Sequence, residues 1–208
     1  TTKLDHKDNE FSSKKFHKVR KVSTHKKLLK SFGRIGMNLN EKSTEIIPVD
    51  GLDKVCFILI NDYDDVENKD LGVGPLNDGY LFAITQYRLD YNVFYLYNPK
   101  NEEYLPFLQY FMQKVKKDLT VFYTGCTSDG NQGILFSPET VVPKDAIADV
   151  IASNCNGKAH YVFINDCTSG GSIFDIPLVI KHNKPIKNLL SFSVEKDGTP
   201  ESKQGRRS

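Results

Sequence analysis

The chain has 208 residues, of which 39% are hydrophobic and 11% aromatic, enough to pack one domain and leave an arm. No stretch reaches the roughly 18 apolar residues of a membrane span, and the first residues lack the apolar segment of a secretory signal, so a cytoplasmic location is expected. Net charge is only +2 but uneven: residues 1–36 hold 11 Lys or Arg against 3 Asp or Glu, and the remainder holds 17 against 23. A basic arm therefore precedes a mildly acidic body.

The arm, residues 1–48, is expected to be mostly irregular. The spacing of Leu28, Leu29, Phe32 and Ile35 leaves a short amphipathic helix near 25–35 open as an alternative. Nothing in the arm carries a base-reading motif, but its charge suits contact with an acidic partner, a membrane surface or nucleic acid.

From Val49 onward short apolar runs alternate with helical patterns. Val55 to Ile60 is nearly all apolar, as a strand buried on both faces would be. Asn77 to Leu89 predicts a helix, with Asn77 or Asp78 as its cap. Asn92 to Leu96 is a second strand, and Glu103 to Lys117 a helix with Leu105, Leu108, Phe111, Met112 and Val115 on one stripe. Leu119 to Tyr123 is a third strand, ended by Thr124-Gly125. Lys144 to Ser153 is a third helix, and Tyr161 to Ile164 and Leu189 to Val194 are the last strands. Strands alternating with helices predict an α/β domain over residues 49–208, with a mainly parallel central sheet flanked by helices.

In such sheets, sites form beyond the carboxyl ends of the strands, where strand order reverses. Three loops qualify: 61–75, 124–133 and 165–171. The last reads Asn165-Asp166-Cys167-Thr168-Ser169-Gly170-Gly171, a cysteine just past a buried strand followed by residues that let the backbone turn. The middle loop carries Gly125 and Cys126, and neighbouring strands would bring Cys126 and Cys167 to adjacent strand ends. The four cysteines, Cys56, Cys126, Cys155 and Cys167, lie too far apart in sequence for a zinc knuckle and are read as reduced thiols. Adjacent strands lie about 4.8 Å apart, so a Cys126–Cys167 disulfide under oxidation also stays open.

Five segments together resemble the caspase and metacaspase-like cysteine peptidases. They are Ile60-Asn61-Asp62-Tyr63, Leu71 to Asp78, Phe122-Tyr123-Thr124-Gly125, Gly133 to Phe136, and Cys167-Thr168-Ser169-Gly170. The resemblance covers about Lys54 to Glu201 and implies a three-layer sandwich with Cys167 at the nucleophile position. It implies a catalytic histidine where this chain has Cys126, and a glycine where it has Thr127. It also implies an acidic pocket residue two places before the nucleophile, here Asn165, and another at Asp78. Gly125 and Asp166 would line the same region. An acidic calcium-binding stretch is implied as well, but Ser128-Asp129-Gly130-Asn131-Gln132 holds one carboxylate, so no cofactor is expected, with calcium left open as the alternative.

A second thiol, with an ordinary pKa of about 8.5, supplies no imidazolium to hold the first as thiolate. His160 lies seven residues before Cys167, roughly 23 Å away along a strand. His182 could rescue the base only from a loop. His6, His17 and His25 fall in the arm, and all five histidines are read as surface residues. The Asp62, Asp64, Asp65, Glu67 and Asp70 group lacks the spacing of a calcium loop and reads as a solvated acidic loop. Two functional readings follow. One is a pseudoprotease that binds a polypeptide or regulates an active relative. The other is an Arg- or Lys-directed endopeptidase using Cys167 with a displaced base.

Overall fold

The computed structural model describes residues 24–64, 70–128, 132–137, 140–155, 157–168, 174 and 189–193. Helix α1 covers residues 24–32. It is followed by β1 (Gly36–Asn38), a 3₁₀ turn (Thr44–Ile46), β2 (Lys54–Ile60), α2 (Gly74–Arg88) and β3 (Asn92–Tyr97). Then come α3 (Asn101–Lys114), β4 (Asp118–Cys126), the hairpin β5 (Gly133–Phe136) and β6 (Thr140–Pro143), α4 (Lys144–Asn154), β7 (His160–Thr168) and β8 (Leu189–Ser193).

Among the described residues the main sheet has six strands in the order β1-β3-β2-β4-β7-β8, and every pairing in it is parallel. From β2 the chain steps to β3 on one side and then back across to β4 on the other. Right-handed crossovers in opposite directions place their helices on opposite faces. Accordingly α2 lies over one face and α3 and α4 over the other, the expected three-layer α/β arrangement.

Alternation along each strand sorts the apolar residues to the two faces. Val55, Phe57 and Leu59 join the α3/α4 core, whose centre is Phe57 with ring centroids 5.8 Å from Tyr104 and 5.1 Å from Phe111. Cys56, Ile58 and Ile60 face α2 and α1 with Leu76, Ala83 and Phe32. Because both faces are covered, β2 reads as a continuous apolar run rather than an alternating one.

Several boundaries differ from the sequence expectation, among them α3, which runs Asn101–Lys114 rather than Glu103 to Lys117. Residues 24–48 are not an irregular arm: α1 buries Phe32, whose ring lies 4.0 Å from that of Tyr95, and β1 adds an edge strand beside β3. Gly36 permits that strand, since a Cβ there would lie 2.8 Å from Val93 Cγ1. Helix α2 starts at Gly74 rather than Asn77, with Pro75 in its first turn, where the missing N–H costs nothing. Asp78 is thus one turn inside the helix and does not cap it. The strands β4 and β7 run three and four residues past their expected ends, because each continues to find ladder partners in the other up to Cys126 and Thr168.

Candidate functional site

The strand order reverses between β2 and β4, and the crevice beyond their carboxyl ends is the natural place for a site. Tyr63 fills it. Its backbone sits at φ 57°, unusual for a residue with a bulky side chain, and this turn sends the ring inward to 1% exposure. The Tyr63 hydroxyl donates to Leu135 O at 2.7 Å, accepts from Cys126 N at 3.1 Å and lies 3.5 Å from the Tyr123 hydroxyl. Tyr123 in turn donates to Cys126 O at 2.5 Å. Asn61 continues the β2–β4 ladder, its N–H meeting Thr124 O at 3.0 Å, and its amide donates to Leu135 O at 2.9 Å.

Cys167 lies inside β7, not in a loop beyond it, and its ladder partner is Gly125; Cys126 pairs with Thr168. The Cys167 side chain joins the α3/α4 core at 2% exposure, and its thiol donates to Asn165 Oδ1 at 2.9 Å. Asn165, two residues earlier on the same face, is 1% exposed. None of the four cysteines is in a disulfide. Burial and the nearby thiols of Cys126 and Cys167 push the Tyr63 and Tyr123 phenols well above their ordinary range. What stands beside the two sulfurs is therefore a pair of neutral phenols, able to donate hydrogen bonds but poor as bases.

Gly125 makes this packing possible. Its φ is 156°, and a Cβ there would lie 2.6 Å from Tyr123 Oη and 3.1 Å from Asn61 Cβ.

A second polar cluster occupies the same edge between β2 and β3, on the α1/α2 face. Asp62 is fully buried. Its Oδ2 accepts from His25 Nε2 at 3.0 Å and from the Tyr97 hydroxyl at 2.8 Å. Its Oδ1 accepts from Asn98 Nδ2 at 2.7 Å and from Asp64 N at 3.3 Å. Burial, then Asp62, Asp64 and Asp70, push the Tyr97 phenol far up. Donor atoms of His25, Asp62 and Asp64 lie within 4.8 Å of one another, close enough for a cation. Yet these four hydrogen bonds already fill the Asp62 lone pairs, so the cluster is satisfied as it stands.

His25 is thus 7% exposed and not a surface histidine, and the loop after β2 is not simply solvated, because α1 brings His25 onto Asp62. Asp65 and Glu67 lie outside the described residues, as do His6, His17, His182 and Ser169 to Gly171. His160 opens β7 at the far end of the sheet and pairs with Asp118 at 3.3 Å. Among the described residues the two histidines are His25 and His160, and neither is near Cys167. His25 binds between β2 and β3, on the face opposite the Cys167 side chain.

Of the sequence candidates, Gly125, Cys126, Asn165, Asp166 and Cys167 converge at the ends of β4 and β7. Asp78 is half-buried near the start of α2. Sequence reasoning missed His25, Tyr63, Tyr97, Asn98 and Tyr123 as site-building residues. The signal for Tyr63 was its place directly after a buried strand; no local pattern pointed to His25.

A solved structure described as "structure of pro-sf-caspase-1" matches 57% of this chain at 19% identity and a TM-score of 0.45. The match covers 52% of that chain, so this protein spans about half its length. No family model and no curated protein matches. The described residues form a parallel six-stranded sheet with helices on both faces, a three-layer α/β arrangement. No described helix is long and apolar enough to cross a membrane.

Proposed function

We propose that this protein is a caspase- or metacaspase-like pseudoprotease, with Cys167 at the nucleophile position and Cys126 in place of the histidine base, acting by binding a polypeptide or regulating an active relative. The observation that carries the reading is the state of Cys167: 2% exposed, donating to Asn165 and, among the described residues, beside neutral phenols rather than an imidazole. A cysteine peptidase needs a thiolate reachable by substrate, a base to form it and an acid for the leaving amine. Tyr63 further supports the reading. Its hydroxyl takes the Cys126 N–H, and its ring fills the crevice a substrate would enter.

The test is turnover of fluorogenic peptides ending in Arg, Lys, Asn or Asp, with and without calcium. The expected result is no turnover above that of Cys167→Ala. Turnover abolished by Cys167→Ala would overturn the pseudoprotease reading and favour the displaced-base endopeptidase. Activity gained in Cys126→His would mark position 126 as the lost base.

A further inference from the structure

A cleft of about 660 Å³ runs along β1 toward the amino end of β3. Cys126 and Cys167 lie at the carboxyl ends of β4 and β7, on the opposite edge of the sheet and two to three strands away. Small-molecule sites enclose roughly 300–1,000 Å³, so the cleft has the size of one. Every residue that lines it is described, from Gly33 in the turn after α1 to Tyr95 in β3.

The walls are held in place by the fold itself. One wall is β1 with the turn before it, and Met37 of that strand packs against the α3/α4 core. The other is the segment that returns the chain to the start of β2. Leu52 of this segment is 1% exposed in the same core, and its carbonyl accepts from Lys116 N at 2.9 Å. Gly51 turns the segment at φ 91°, a left-handed angle that suits glycine, and its carbonyl accepts from the Asn92 side chain. A ligand entering between walls fixed in this way has little left to order, which favours its binding.

The lining has an aromatic part and a cationic part. Tyr87, 53% exposed at the end of α2, and half-buried Tyr91 supply ring surface. Lys54 adds positive charge beside that surface, its Nζ 5.5 Å from the centre of the Tyr91 ring. Arg34 stands two residues before β1, and the Lys42 ammonium lies 2.5 Å from the carbonyl of Asn38, the last residue of that strand. Three strand residues rise only about 7 Å, so one ligand can meet both cations. Among the described residues neither cation is in an ion pair with a carboxylate, and Asp50 is the one acid in the lining. Arg34 also follows the carbonyl end of α1, which a cation complements, whereas Lys42 serves no helix end. Excess positive charge in a concave site draws anions, and a guanidinium matches the paired oxygens of phosphate or carboxylate. A bare inorganic anion would leave the rings uncovered, and a neutral aromatic would leave the cations unanswered.

We infer that this cleft binds a small organic anion with an aromatic body, an aryl phosphate or aryl carboxylate. Its ring covers Tyr87 and Tyr91, and its oxygens meet Arg34 and Lys42. The site is separate from the two thiols, so it stands whether or not Cys167 reacts.

Equilibrium dialysis of the full chain against 1-naphthyl phosphate and against 1-naphthoate, read by naphthyl fluorescence, tests this. At least one of the two binds once per chain with a Kd below about 1 mM. The ring alone, as 1-naphthol, and inorganic phosphate, as a competitor, each bind at least about tenfold more weakly. Lys42→Gln and Arg34→Gln each weaken the aryl anion about fivefold, the effect of losing one exposed ion pair. Tyr87→Ala weakens it as well, and Lys114→Gln, at the end of α3 and outside the cleft, leaves it unchanged. All four side chains are exposed, so every variant keeps the melting temperature of the parent chain. Absence of saturable binding by both aryl anions overturns the proposal. So does equal affinity for 1-naphthol, which would assign the binding to apolar surface alone. Affinity that survives both Lys42→Gln and Arg34→Gln overturns it too, by placing the anion elsewhere.

Discussion

His25→Ala removes one of the four donors to the buried Asp62 carboxylate. A hydrogen bond to a charged group contributes about 1.5–3 kcal/mol, and breaking a buried pair costs about 3–5 kcal/mol because the remaining charge stays buried. Asp62 keeps Tyr97, Asn98 and the Asp64 N–H, so the loss falls in the upper part of the hydrogen-bond range rather than that of a broken pair, about 2–3 kcal/mol. Urea unfolding followed by tyrosine fluorescence or far-ultraviolet dichroism reads it directly. With a slope of about 2 kcal/mol/M, the midpoint falls by about 1–1.5 M. His160→Ala is the matched control: its pair with Asp118 lies at the surface, with the imidazole 67% exposed, and no resolvable shift is expected from such a pair. The reasoning is refuted if the two variants give the same midpoint, for then α1 is not held to the sheet edge by His25.

Three further outcomes follow from the packing. Gly125→Ala places a Cβ 2.6 Å from Tyr123 Oη at a backbone angle that favours glycine, and a loss above about 2 kcal/mol is expected in the same urea assay. Phe57→Ala empties the centre of the α3/α4 core between Tyr104 and Phe111 and costs about 3–5 kcal/mol, whereas Leu81→Ala on the exposed side of α2 falls within about 0.5 kcal/mol. Stability also falls in alkali. Burial raises the Cys155 thiol from its ordinary 9.0 to about 11. The unfolded chain therefore loses that proton first as pH climbs, and the contribution present below pH 9 disappears by about 11. Cys155→Ser flattens that slope between pH 9 and 11 in urea midpoints taken across the range. An unchanged slope would place Cys155 in solvent.

Much of the chain's architecture is written in local pattern. The apolar run of β2, the stripe of α3 and the strand–helix alternation suffice to predict a parallel sheet with helices on both faces, because burial on two faces demands continuous apolar strands. The carboxyl-edge location of Cys126 and Cys167 follows from the same alternation. The boundaries were less legible. Strands β4 and β7 extend through Gly125 and Cys167 because each supplies ladder partners to the other, and no local signal reports a partner's length. The hairpin of β5 and β6 is legible only as the motif Gly133 to Phe136, since four-residue strands carry too few positions for a period.

The sequence by itself determined the fold class, the thiol at position 126 where the resemblance implies an imidazole, and the concentration of positive charge at the N-terminus. Only the tertiary structure decided that His25 belongs to the domain, that Tyr63 fills the switch-point crevice, and that Cys167 is buried against Asn165. The physical reason is range. Periodicity and composition report which residues seek burial, whereas a hydrogen bond between residues 25 and 62, or a ring wedged between two strand ends, exists only once distant segments have been brought to the same edge of the sheet.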